Sequence, residues 1–361
     1  VVAFVRRRPA LDIAFVVPRS GPAGIFGPSC EACGILAVEE INAAGGLLGR
    51  EVRLRVVDGG RAPGEVAAEV GALVDAGLVQ AVTGWHISAV RQEIAPLVSG
   101  RVPYVYTPLY EGGERTPGVF LAGETPDRQV RPALDWMVRE RGIRSWCVVG
   151  DDYVWPRVSA AAARRYARTM PDVTIVDEMY VPLGTENFAP VLRRIERSGA
   201  RGVLMFLVGS DAIRFNRAFA RAGLDAHLTR LSPLMEENML LGSGADATRD
   251  LYASAGYFEA LPTASGLDFS GRYADRFGAR APALNSLGES CYEGLVLLGR
   301  LVGGAGELST GSLEHVGRSL VYDSPRGVVR LSDNHLLQSV HLAVADGLGF
   351  DVVARLVDAP A

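Results

Sequence analysis

The sequence predicts an α/β protein made of two parallel-sheet units in series. Three observations carry this. Short apolar runs alternate with amphipathic helical ones, which is the pattern of βαβ units whose sheet is covered on both faces. The pattern pauses at "GETPDRQVRPALDWMVRERG" and then begins again. Finally, 361 residues with 48% apolar and 22% charged side chains give a globular chain long enough for two cores.

In order, the first unit reads as strand "LDIAFVV", helix "CEACGILAVEEINAAGG", strand "EVRLRVVD", helix "GEVAAEVGALVDAG", strand "VQAVTG", helix "SAVRQEIAPLVSG" and strand "VPYVYTP". Its helices place apolar residues three and four apart, and its strands are bounded by Gly, Asp or Pro. The second unit runs through "SWCVVG", a helix over 158–169, "TIVDEMYV", "FAPVLRRIERSG", "GVLMFLV", "AIRFNRAFARAG" and "LTRLSP". A third block, about 251–361, holds the strand "YASAGYF", a long helix "NSLGESCYEGLVLLGRLVGG" and the late strands "GVVRLS" and "SVHLAVAD".

Composition removes several function classes. A net charge of −4 offers no electrostatic footprint for nucleic acid. All 37 basic residues are arginine, a bias of composition and not of function. Cys30 and Cys33 sit among helically spaced apolar residues with no second pair or nearby His, so they read as buried thiols; no metal or cofactor is expected. Nothing approaches the roughly 18 apolar residues of a membrane span. "GPAGIFG" lacks the spacing of a dinucleotide fingerprint or phosphate loop, and no Gly-x-Ser-x-Gly elbow occurs, so the chain is read as a non-enzyme.

Ligands of open parallel sheets bind beyond the C-terminal strand ends. Four segments occupy those positions: "WHIS", "LYEG", "DDYVWP" and "GSDA". Tyr153 and Trp155 alternate in a stretch read as extended, so they share a face, either as ligand walls or as interdomain packing. Asp151 and Asp152 either cap the next helix or, for Asp152, meet the ligand or brace Tyr153. His86 either donates to a ligand carbonyl or packs as a satisfied histidine. Glu236 and Glu237 read as the solvated start of a helix. Asp211 remains open as a partner for an ammonium.

"AVEEINAAGGLLGREVRLRVVD" carries an Asn-x-x-Gly-Gly-x-x-Gly-Arg turn between a first helix and a second strand ending in Asp. With "GWHISAVRQEIAPLV", "VYTPLYEGGERTPGVFLAGETPDRQVRPALDWM", "GDDYVWPR", "YFEA" and "SCYEGLVLLGR", it resembles the type I periplasmic-binding-protein family in its leucine/isoleucine/valine-binding branch. Within that branch the motifs are similar to the short-chain amide sensors and the urea or amide transport binding proteins. The resemblance runs from Leu11 over nearly the whole chain and implies two Rossmann-like lobes joined by three crossovers, with a ligand cleft between them. Crossovers near 126, 255 and 328 give lobe one as 11–125 plus 256–327 and lobe two as 126–255 plus 328–361.

Carried over by position, the amide or urea pocket falls on His86, Ser88, Tyr106, Pro108, Tyr153, Trp155 and the turn Val208, Gly209, Ser210, with Asp152 beside it. His86 stands where the sensors have Tyr and the urea binders Trp, while Pro108 and Trp155 replace a Thr and a Tyr. A small, planar, neutral amide needs flat apolar walls and paired polar groups, because an unpaired buried amide costs roughly 1–3 kcal/mol. The resulting expectation is a cytoplasmic sensor of an amide, urea or relative that acts through a regulator protein and does not touch nucleic acid itself. The alternative is the binding component of an ABC importer, partnered by a permease and exported if a leader precedes Val1. A homo-oligomer is left open.

Overall fold

The computed structural model describes residues 9–358. In chain order the elements are β1 (Leu11–Val17), α1 (Gly27–Ala43), β2 (Val52–Asp58), α2 (Pro63–Asp75), β3 (Ala81–Gly84), α3 (Ser88–Val98), β4 (Tyr104–Tyr106) and β5 (Val119–Leu121). There follow α4 (Pro126–Arg141), β6 (Ser145–Asp151), α5 (Val154–Ala167), β7 (Thr174–Val181), α6 (Ala189–Arg197), β8 (Gly202–Phe206), α7 (Ser210–Arg221), β9 (Thr229–Ser232), α8 (Glu237–Ser243) and β10 (Leu251–Ala255). The last block is α9 (Ala264–Phe277), α10 (Ser286–Ala305), α11 (Thr310–Gly317), β11 (Val321–Ser324), β12 (Gly327–Ser332), β13 (His335–Leu337), β14 (Val340–Asp346) and β15 (Gly349–Val357).

These strands form two sheets, one per lobe. The first has the order β11-β12-β13-β5-β4-β3-β1-β2 and the second β15-β14-β10-β9-β8-β6-β7. β1 to β5 and β6 to β10 pair in parallel, as strands joined by crossover helices must, while the C-terminal strands add antiparallel ladders at one edge of each sheet. The fold is thus α/β with two mostly parallel sheets. Register lines up the strand ends: Gly84 stands opposite Tyr106, and Gly150 opposite Phe206. The loops that leave them therefore start at one level.

The chain passes between the sheets after β5, after β10 and between β13 and β14. The third passage lies at 338–339 and not near 328, because β12 pairs with β11 and β13 and extends the first sheet beyond β5. Two further readings change. The helix expected over 158–169 is α5, starting at Val154 directly after an extended Tyr153. Pro156 falls in its first turn, where backbone N–H groups lack helical partners anyway. Strands β5, β11 and β13, of three or four residues, are too short to show a period.

Apolar side chains fill both faces of the first sheet, under α2 and α3 on one side and under α1, α9 and α10 on the other. The core of lobe two does not stop at its own boundary. It continues through Phe15, Phe26, Trp85, Leu109 and Leu287 of lobe one, so the lobes are packed against each other.

Candidate functional site

Between the lobes lies a narrow cavity of about 10 Å³, room for about one water, lined by Trp85, His86, Ile87, Ser88, Tyr106, Pro108, Leu109, Tyr153, Trp155 and Leu234. Its walls come from four strand ends: β3, β4, β6 and β9. Gly84 makes the first of these turns feasible. It holds φ 125°, and a Cβ there would stand 2.4 Å from Val16 O, so no other residue lets β3 turn so sharply beside β1.

His86 is wholly buried and committed to the protein. Its Nδ1 lies 3.1 Å from Val16 O and its Nε2 2.5 Å from the Tyr104 hydroxyl. A carbonyl only accepts, so Nδ1 carries the proton and Nε2 accepts from Tyr104. Burial pulls its pKa down to about 3, with the Arg91 cation adding to the effect, and the ring is neutral. Of the two roles the sequence left open, packing therefore describes His86: it forms a wall with no free nitrogen.

The Tyr106 hydroxyl donates to His86 O at 2.8 Å, leaving its lone pairs toward Ser88 Oγ at 3.4 Å. Behind both sits Arg91, 2% exposed, clamped by Glu111 at 2.7 Å and Glu114 at 3.0 Å and held against the rings of Tyr106 and Tyr110. Its Nη1 reaches Ser88 Oγ at 3.5 Å. Sequence reading missed Arg91, although its spacing from Ser88 and Ala95 puts a cation on the buried stripe of α3. Trp85, Ile87 and Leu109 lie in the segments "WHIS" and "LYEG" but were not singled out, and Leu234 escaped altogether, since apolar wall residues look like any core residue.

From lobe two, Tyr153 and Trp155 lie with ring centroids 6.3 Å apart, and Trp155 meets Phe206 edge-on at 5.6 Å. Their shared face has a different origin from the one expected. Tyr153 is the extended residue before α5 and Trp155 belongs to its first turn. Neither α3 nor α5 has a side-chain cap, so their first-turn N–H groups are left for another acceptor.

Four expected residues stand outside the cavity wall. The Asp152 carboxylate is 44% exposed and pairs with Arg157 at 2.5 Å, so it neither caps α5 nor braces Tyr153. Val208 donates its N–H to Asp151 Oδ2 at 2.7 Å, and Ser210 opens α7. Gly209, at φ 52°, lies against the other lobe, where a Cβ would come within 2.1 Å of Pro22 O. The buried acid of this motif is Asp151. Burial and the neighbouring Asp211 hold its carboxyl well above the usual range, so the two titrate as one unit. Asp211 is in turn occupied by Gly184 N–H and Arg214. Glu236 and Glu237 are likewise buried and not solvated.

The sequence profile of the periplasmic binding protein family matches residues 10–348. A Leu/Ile/Val-binding protein homolog of Brucella melitensis is 29% identical over 180 residues, covering 47% of this chain and 45% of that protein. The chain thus spans about half the length of that curated relative. A second homolog from the same organism is 22% identical over 249 residues, or 68% of this chain and 67% of that one. In structure, the chain is similar to an ABC-transporter solute binding protein of Rhodopseudomonas palustris in complex with p-hydroxybenzoic acid. That similarity has a TM-score of 0.87 and 19% identity, over 97% and 98% of the two chains. It is also similar to a branched-chain amino acid transporter substrate binding protein of Streptococcus pneumoniae in complex with isoleucine. Here the TM-score is 0.81 and the identity 16%, over 95% and 99%.

Proposed function

The chain belongs to the periplasmic binding protein family, and we propose that within it the chain is the non-enzymatic solute-binding component of an ABC importer, closing over one small, flat, uncharged polar solute such as a short-chain amide or urea. The observation that carries the ligand class is the cavity wall: none of its ten side chains is charged, since His86 is neutral. A buried ion without a partner is costly, whereas a neutral amide needs only paired hydrogen bonds. The Tyr106 proton goes to His86 O, so Ser88 Oγ is the donor in its long 3.4 Å contact with Tyr106, a weak bond it can exchange for a solute carbonyl. Trp85, whose indole N–H is buried without a partner, supplies a second donor. The free space of about 10 Å³ holds about one water, so even a solute of amide size enters only as the lobes part.

Cytoplasmic placement, expected from the sequence, is overturned by the family match, which is to binding proteins of the periplasm, and by the likeness to ABC-transporter solute-binding proteins. The regulator partner expected with it gives way to a permease.

A small aromatic acid is the second reading. It is favoured by the uncapped first turns of α3 and α5, which suit a carboxylate, and by the p-hydroxybenzoic acid held in the R. palustris protein. Isothermal titration against propionamide, urea, 4-hydroxybenzoate and leucine separates the two. Micromolar binding of propionamide or urea alone supports the neutral-solute reading; binding of 4-hydroxybenzoate alone replaces it with the acid.

A further inference from the structure

The segment Leu234–Asn238 joins β9 to α8 within lobe two, yet its side chains act elsewhere. Leu234 lines the cavity. Glu236, 2% exposed, accepts the N–H of Ser286, the first residue of α10 in lobe one, at 2.7 Å. Asn238 Nδ2 donates to Ile25 O, also of lobe one, at 3.0 Å. Glu237 Oε1 accepts Glu259 N–H at 2.9 Å, which ties the same segment to the chain's second passage between lobes.

We propose that Leu234–Asn238 is a latch that holds the two lobes closed on each other beside the cavity. One short segment lines the cavity through Leu234 and holds lobe one through Glu236 and Asn238. An opening motion that carries Ser286 and Ile25 of lobe one away from this segment breaks both bonds and returns the buried Glu236 and the half-buried Asn238 to water. Only the role of Leu234 rests on the cavity's being a solute site; the two lobe-to-lobe bonds stand without it.

The latch also has a built-in charge cost. The titratable groups that act most on the Glu236 carboxyl are Glu237 beside it and Glu124 from the first passage, with Cys30 of α1 also near, while the backbone N–H groups of Ser286 and Leu287 oppose them. Burial, with Glu237 adding, raises its pKa well above the usual carboxylate range. Closure therefore takes up a proton, and rising pH favours the open form.

Single-molecule fluorescence tests this without any ligand. Donor and acceptor dyes are placed on Glu65→Cys and Arg193→Cys, exposed positions in different lobes, the four native thiols being buried. In the parent protein the ratio of closed to open molecules is expected to fall from pH 5 to pH 8. Asn238→Ala is expected to lower the ratio by about threefold to tenfold, the worth of one hydrogen bond. Glu236→Gln keeps the acceptor and removes the charge, so it is expected to raise the ratio at pH 8 and flatten its pH dependence. Equal ratios in all three proteins, including no closed form in any of them, overturn the latch. Because no solute is present, failure of the propionamide or urea titration leaves this result intact, and the two proposals fail separately.

Discussion

At the scale of single residues, the proposed site separates groups with only weak protein contacts from groups the protein has already used. Ser88 and Tyr153 belong to the first kind. Ser88→Ala and Tyr153→Ala are each expected to weaken solute binding by at least about 1 kcal/mol with the melting temperature nearly unchanged, as titration calorimetry and thermal melts will show. Asp152 belongs to neither, and Asp152→Ala is expected to leave affinity unaltered in the same titration, because its carboxylate only meets Arg157 at the surface. These contrasts were partly legible beforehand. Six of the ten residues expected at the site do line the cavity. The error at Asp152 has a plain cause. Adjacent residues at a strand end point opposite ways, and Asp151, not Asp152, faces inward with 0% exposure.

At the scale of elements, the passages between lobes are fastened by one guanidinium. Arg326, in the turn between β11 and β12, donates to Glu289 of α10 at 2.6 Å, to Ala122 O at 3.1 Å and to Gln338 Oε1 at 2.9 Å. Glu124 Oε1, 3.8 Å from the same guanidinium, accepts Gly256 N–H at 2.6 Å. Ala122 and Glu124, Gly256, and Gln338 lie on the first, second and third passages. Removing the cation strands Glu289 in the interior, so Arg326→Met is expected to cost about 3–5 kcal/mol in urea unfolding. Adding Glu289→Leu is expected to recover much of that loss, since the unpaired charge goes too. None of this was readable in "SPRGVVRLS", because an arginine in a hairpin turn looks solvated until β13 and α10 close over it.

At the scale of the whole molecule, buried ionisable groups shape stability in opposite directions. His86 and His341 have folded pKa values lowered to about 3 and about 4 by burial, against 6.5 for a free histidine. Their unfolded forms take up protons first, so stability is lost as pH falls from 6.5 through those values. Glu237 is pushed up to about 8 by burial, against 4.5, and burial raises Glu236 as well, so the folded state holds their protons longer and stability declines as pH rises from 4.5 toward 8. Melting temperature measured across pH is therefore expected to peak between about 4.5 and 6.5, and Glu237→Gln is expected to flatten the alkaline limb.

Local pattern was enough to determine the alternation of strands and helices and the two-unit organisation; of the four strand-end segments, "WHIS" and "DDYVWP" stand at the cavity, "LYEG" gives it only Leu109, and "GSDA" lies outside it. Periodicity of 2 and 3.6 is a property of the chain itself, and binding beyond parallel strand ends follows from the topology that periodicity implies. Tertiary structure alone decided that His86 is spent on Val16 and Tyr104, that β12 and β13 belong to lobe one, and that Glu236 crosses from one lobe to the other. Each of these depends on a partner far away in sequence, Ser286 lying fifty residues beyond Glu236, and a buried polar group declares its role only when the partner that satisfies it is in place.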